Sequence, residues 1–251
     1  MEFLLKNMIQ ELRSRFLPYR DIMEDGLRRL FSSYEALPNP LLENWRNLRQ
    51  RALQSAELDS KIPNYVVLRW ANKKDFIDSE AEAQAAEILA HKFKDTNLDY
   101  ILAIANSGLP IGQAVHKRFP NTTFIEATKF EKEPEREDGS VYTQAHSYSR
   151  DTDFWFKIPQ IPQGKRVLII DDVAAYAGVG LPIAQLIKDQ GGLLVGYGVY
   201  FDKVFQGGLK KISQKLNIPA FSVIRVKSIE DHGITLLDEK SSLKPIYDHH
   251  R

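Results

Sequence analysis

Four consecutive apolar residues, Val167, Leu168, Ile169 and Ile170, run directly into two carboxylates, Asp171 and Asp172. No other stretch constrains the fold as tightly. A strand with one wet face alternates apolar and polar residues. An unbroken apolar run marks a strand covered on both faces, as in a parallel sheet with helices above and below it. After the acids come Val173, Ala174, Ala175, Tyr176, Ala177, Gly178, Val179 and Gly180, then a helical pattern over 181–190 closed by Gly191 and Gly192. Open α/β sheets bind ligands at the carboxyl ends of their strands. Ala and Gly let the backbone approach a ligand closely, and the free N–H groups and dipole of the following helix suit a phosphate. Adjacent carboxylates can accept from a vicinal diol or help to hold a hydrated Mg2+. Read alone, the pair is explained equally well by a strand-end Asp capping the next helix. No Gly-Lys-Ser/Thr closes the loop and no Gly-x-Gly-x-x-Gly is present, which excludes the Walker and Rossmann phosphate motifs.

The rest of the chain divides by texture. Phe3, Leu4, Met8, Ile9, Leu12 and Phe16 recur at helical steps, and Ile22, Leu27, Leu30 and Phe31 suggest a second helix. Pro38, Asn39 and Pro40 break the pattern, and a third helix is expected over 41–58 with Leu48, Ala52 and Leu53 on one face. This predicts a helical accessory segment over 1–60 ahead of an α/β domain over 61–251. In that domain strands are expected at 65–69, 100–105, 122–126, 167–170, 193–201 and 221–226. Helices are expected at 79–94, 111–118, 181–190 and 209–216. Ser79 is the expected cap of the first, with Glu80 and Glu82 favourably placed in its first turn. Residues 129–150 are highly charged and read as a long loop or β-excursion. Strands alternating with helices give an α/β fold, a parallel sheet flanked by helices.

Composition excludes several functions. The 251 residues carry 34 basic and 33 acidic side chains, net +1, so bulk charge supports neither nucleic acid nor an anionic membrane as partner. No recognition helix for DNA is found. There is no cysteine, so thiol chemistry and thiolate metal sites are excluded. No stretch reaches the roughly 20 apolar residues of a membrane span, and the amphipathic N-terminus lacks a signal-peptide core. A cytoplasmic protein is expected. His91, His116 and His232 lack metal-ligand spacing, and His249 and His250 lie near the end of the chain.

Residues 167–181 resemble the phosphoribosyl pyrophosphate motif of the type I phosphoribosyltransferase family, closest to its xanthine and adenine enzymes. Asn106-Ser107-Gly108 after a strand is similar to the family's pyrophosphate loop. Asp202-Lys203-Val204-Phe205-Gln206-Gly207-Gly208 is similar to its base-binding hood segment, and Val226-Lys227-Ser228-Ile229-Glu230 continues the match. The resemblance runs from about Tyr65 to Leu237. It implies a small hood on the sheet, phosphoribosyl pyrophosphate and a purine-like base or nucleotide as ligands, Mg2+ as cofactor, and a homodimer. It makes Asp171 and Asp172 the catalytic pair facing the ribose, holding Mg2+ indirectly through its water or ligand. Ala174, Ala175, Tyr176, Ala177, Gly178 and Val179 take the 5′-phosphate, and Asn106, Ser107 and Gly108 the pyrophosphate. Lys203 donates to a purine carbonyl and Phe205 packs on the base. Read alone, Lys203 is a solvated lysine and Phe205 a core aromatic. Residues 129–150 match the family's flexible loop, whose cations, Lys129, Lys132, Arg136 and Arg150, would face pyrophosphate, with either Tyr142 or Tyr148 as the loop tyrosine. One departure stands out: Tyr176, Ala177 and Val179 occupy positions where the family usually carries hydroxyl or amide donors. Backbone N–H groups and the Tyr176 hydroxyl are left for the phosphate. Asp75 and Asp78, near Lys73 and Lys74, read as helix caps rather than a base pocket. Two activities are therefore expected, transfer to a base or, as the alternative, ligand binding by a non-enzymatic regulator on the same fold.

Overall fold

The computed structural model describes residues 37–58, 66–68, 78–148, 151–230, 233–243 and 246. The helices expected from Phe3 to Phe31 lie outside the described residues, as do Lys73, Lys74, Asp75, Arg150, His232, His249 and His250.

The apolar run becomes the middle of β7 (Arg166–Ala174), and both of its faces are covered. Leu168 and Ile170 share one core with helix α1 (Asn39–Ser55), helix α2 (Ser79–Phe93) and helix α3 (Gly108–His116). Val167 and Ile169 share the other with α4 (Gly180–Asp189) and α5 (Gly208–Leu216). Side chains alternate across a strand, so neighbouring residues of one run must feed opposite layers. This is why no polar position interrupts the run.

Among the described residues eight strands form the main sheet. With β3 (Tyr100–Ile104), β4 (Thr123–Phe130), β5 (Ser140–Ser147), β6 (Thr152–Pro159), β8 (Leu193–Lys203), β9 (Ala220–Glu230) and β10 (Gly233–Leu236), the order is β10-β9-β8-β7-β3-β4-β6-β5. The five strands β9-β8-β7-β3-β4 are mutually parallel. The chain lays down β3, steps to β4 on one side, then crosses to β7, β8 and β9 on the other. The order therefore reverses between β3 and β7, and loops leaving the carboxyl ends of these two strands diverge to open a crevice.

The sheet is mixed rather than wholly parallel. The charged excursion over 129–150 is the end of β4 followed by β5, which pairs with β6 along its whole length from Ser140↔Pro159 to Ser147↔Thr152. Strand β6 was not expected. Phe154, Phe156 and Ile158 alternate into the core, between exposed or half-buried residues. Strand β10 and the short helix α6 (Glu239–Ser242) are also additions. The strand expected at 65–69 is β2 (Val66–Leu68), which pairs with β1 (Ala56–Leu58) outside the main sheet.

One local expectation changes. Asp78, not Ser79, caps α2, its carboxylate accepting from the amides of Glu80 at 3.1 Å and Ala81 at 3.0 Å. Glu82 lies in the first turn as expected, and it is buried there, only 6% exposed. Of the segment set apart by its helical texture, α1 packs into the α/β core: Trp45, Leu48 and Ala52 are buried, and Trp45 Nε1 donates to the Val223 carbonyl at 2.7 Å. Among the described residues no helix is long and apolar enough to cross a membrane.

Candidate ligand site at the sheet reversal

The crevice between the ends of β3 and β7 holds a cavity of about 220 Å³. Its lining comes from stretches far apart in the chain. Asn106 and Ser107 follow β3, the residues from Asp171 to Gly180 run from the end of β7 into the start of α4, Lys203 ends β8, and Lys129, His146, Ser147 and Tyr148 come from the β4–β5 excursion. Of the expected residues, Asp171, Asp172, Ala174, Ala175, Tyr176, Ala177, Gly178, Val179, Asn106, Ser107, Lys203, Lys129 and Tyr148 all meet here. Gly108, Phe205 and Tyr142 do not line it. Gly108 instead opens α3 against the acid pair, where a Cβ would lie 3.1 Å from Asp171 Oδ1. Tyr142 is engaged away from the cavity: its hydroxyl accepts from the Glu137 amide at 2.9 Å and donates to the Glu135 carbonyl at 3.2 Å. Of the two loop tyrosines only Tyr148 reaches the cavity. The peptide between Ala105 and Asn106 is cis.

The two carboxylates are held differently. Asp171 is buried; its Oδ1 accepts from the Asp172 amide at 2.9 Å and its Oδ2 from the Tyr197 hydroxyl at 3.1 Å. Burial, and then the charge of Asp172, hold the Asp171 carboxyl well above the ordinary carboxylate range. Asp172 is half-buried. Burial raises it too, while its hydrogen bonds with the Asp171 side chain and the Val173 amide, and the charge of Lys203, oppose the rise. Two adjacent acids, one of them buried, favour a cation or hydroxyl donors from a ligand, since either relieves the cost of ionising both. Burial lowers Lys203 to about 8, against the pull of Asp172.

The loop after the acids is shaped for close approach. Ala177 has φ 66°, the left-handed region. Among the described residues no acceptor takes the backbone amides of Tyr176, Ala177, Gly178 and Val179. These N–H groups lead into the start of α4, as a phosphate cradle requires. Side-chain hydroxyls are sparse here, in keeping with the sequence. The excursion packs onto this loop: a Cβ at Gly178 would lie 2.3 Å from the His146 carbonyl oxygen and 2.8 Å from the Tyr148 ring. Tyr148 in turn lies 5.0 Å from the Tyr176 ring and takes His146 edge-on at 4.7 Å. His146 Nδ1 is 2.8 Å from Asp153 Oδ1, which ties the end of β5 to β6. On the other side a Cβ at Gly208 would lie 2.1 Å from the Ala175 carbonyl oxygen, so bare backbone is needed there.

Beyond Lys203 the chain makes a short 3-10 turn, Val204–Gln206. Phe205 in this turn is 43% exposed, so it is no core aromatic. The neighbouring Asp202, raised to about 6 by burial, pairs with Arg225 at 3.5 Å and ties the end of β8 to β9. Sequence reasoning missed Tyr197, Phe156, Ile212 and Gly180 as parts of the cavity wall.

Residues 77–215 match the family model of the phosphoribosyl transferase domain. The chain is 26% identical over 158 residues to xanthine phosphoribosyltransferase 2 of Clostridium perfringens, covering 62% of this chain and 82% of that protein. It is 27% identical over 190 residues to the xanthine phosphoribosyltransferase of Clostridium botulinum, covering 73% and 95%. Among solved structures it is similar to the adenine phosphoribosyltransferase of Rhodothermus marinus, with a TM-score of 0.59 at 21% identity, over 73% of this chain and 99% of that one.

Proposed function

Because this chain belongs to the phosphoribosyltransferase family, we propose that it transfers ribose 5-phosphate from phosphoribosyl pyrophosphate to a purine-like base and releases pyrophosphate. One observation carries the reading. A single cavity at the sheet reversal joins a carboxylate pair, a loop with free backbone amides and the Asn106-Ser107 turn. These are the three contacts that a ribose bearing a phosphate and a pyrophosphate requires. The xanthine and adenine enzymes among its relatives favour a purine over other bases.

In this reading the loop from Ala174 to Val179 and the start of α4 hold the 5′-phosphate. Asn106 and Ser107 hold the pyrophosphate, with Gly108 keeping α3 close to the acids. The ribose hydroxyls donate to Asp171 and Asp172, and that donation favours their ionised forms. A base nitrogen then bonds to C1 as the bond from C1 to pyrophosphate breaks. The carboxylates stabilise the positive charge that develops on the ribose, and positioning does most of the work. Lys203, beside Asp172, donates to a carbonyl of the base, and Phe205 packs over the base. Lys129 and Tyr148 cover the reacting centre and exclude water.

The donor set fits Mg2+ only as an ion carried in by the ligand. Among the described residues no three His, Cys, Asp or Glu side chains cluster to bind a metal, but Asp171 and Asp172 suit hydrogen bonding to its water shell. When bound, the ion offsets negative charge on the departing pyrophosphate. The reading extends to a homodimer in the cytoplasm.

The test is to incubate the protein with Mg2+, phosphoribosyl pyrophosphate and a panel of nucleobases and to follow pyrophosphate release. Release is expected with a purine that carries a ring carbonyl. No release with any base, alongside tight binding of phosphoribosyl pyrophosphate, overturns transfer and supports the regulator.

A further inference from the structure

Tyr197 lies on β8, on the face opposite Gly196 and Gly198. Those two glycines let the strand press against α2 and β7: a Cβ at 196 would lie 2.5 Å from the Phe93 ring, and one at 198 would lie 2.8 Å from Ile170 Cδ1. The Tyr197 ring therefore stands in the other core, beside α4 and α5. It is 1% exposed, yet its phenol belongs to the cavity wall. A buried hydroxyl needs a partner, and this one donates to Asp171 Oδ2 at 3.1 Å. The same oxygen touches a second part of the site: a Cβ at Gly180, the first residue of α4, would lie 2.5 Å from Tyr197 Oη.

We propose that Tyr197 is a positioning residue that braces the ribose carboxylate against the phosphate-binding helix through its hydroxyl. The proposal rests on the transferase reading of the cavity and adds a residue to it. A carboxylate offers about four acceptor directions. On Asp171 one direction at each oxygen is taken, by the Asp172 amide and by the Tyr197 hydroxyl. Two donors on different oxygens fix the plane of the carboxylate. Without the phenol, Oδ2 loses its hydroxyl donor, and the restraint of that plane falls to the amide and side chain of Asp172. Gly180 completes the brace, because only a residue without a Cβ lets the hydroxyl lie between the acid and the start of α4. The distance from ribose acid to phosphate amides is thereby set by one rigid aromatic ring.

The test is Tyr197→Phe in the full chain, which keeps the ring and removes only the hydroxyl. Binding is measured by calorimetry with Mg2+ and, separately, phosphoribosyl pyrophosphate and inorganic pyrophosphate, with a thermal melt beside them. The expected result is phosphoribosyl pyrophosphate binding weakened about tenfold, as for one lost hydrogen bond to a charged group. Pyrophosphate binding should stay within about twofold, because pyrophosphate has no ribose for Asp171 to hold. In turnover, KM for phosphoribosyl pyrophosphate should rise while KM for the base holds. Unchanged phosphoribosyl pyrophosphate binding overturns the proposal. So does equal weakening of both ligands with a lowered melting temperature, which makes the hydroxyl merely structural. If the parent protein itself fails to bind phosphoribosyl pyrophosphate, the functional reading falls first and the proposal falls with it.

Discussion

Glu82→Gln should make the protein more stable in mild alkali, and by a calculable amount. Glu82 sits in the first turn of α2, its Oε2 buried and without a hydrogen-bond partner among the described residues. Burial, followed by the charges of Asp172 and Asp78, raises it from 4.5 to about 8. An unfolded chain leaves this carboxyl at its ordinary value. Between these two values the folded protein binds the proton that the unfolded chain has lost, so stability falls as pH rises through the window. At ~1.4 kcal/mol per pH unit, the loss should total about 4 kcal/mol by the upper end. Glutamine keeps the shape and cannot ionise, so the variant should lack this slope. Urea unfolding of parent and variant at about pH 5 and again near the raised value gives four free energies. The difference of differences isolates residue 82, because all other titrating groups are common to both proteins. The expected result is that the parent loses about 3 kcal/mol more than the variant across that interval. Parallel pH profiles for the two proteins would refute the reasoning and mean that Glu82 ionises freely in the folded state.

Three further outcomes are expected. Asp171→Asn with Asp172→Asn should cut pyrophosphate release by roughly 100-fold or more, because two charge-assisted bonds to the ribose are lost; undiminished release would remove the pair from the site. Gly178→Ala places a Cβ 2.3 Å from the His146 carbonyl. It should destabilise the protein by roughly 1–3 kcal/mol and raise KM for phosphoribosyl pyrophosphate, as read by a melt and by steady-state kinetics. Lys203→Met should raise KM for the base about tenfold while leaving calorimetric binding of phosphoribosyl pyrophosphate nearly intact.

The parallel core was legible because covering a strand on both faces demands unbroken apolar runs such as 167–170. The acid pair was legible because it ends such a run. The antiparallel part was harder. In β6, Phe154, Phe156 and Ile158 do alternate with polar or half-buried residues, but Trp155 breaks the contrast and the charged stretch before it reads as loop. The burial of Glu82 was not legible for a different reason. Its neighbours Ala81, Ala85 and Ala86 define the buried face of α2, and Glu82 shares that face. A carboxylate is normally read as solvent-facing, so its chemistry hid its position. Tyr197 left no local signal at all. Its role depends on Asp171, 26 residues away, and on Gly180 across a crossover, a juxtaposition that only the register of β7 with β8 creates.

The way α1 packs has a practical consequence for anyone who dissects this chain. The family match ends at residues 77 and 215, yet Trp45 donates to a carbonyl of β9, and both partners lie beyond those limits. The segment recognised as the catalytic module is thus smaller than the folding unit. A fragment cut at the match would keep every lining residue of the cavity but would strip β9 from the sheet and bare the core face that α1 covers. Expression boundaries for this protein should follow its buried tryptophan rather than its sequence signature.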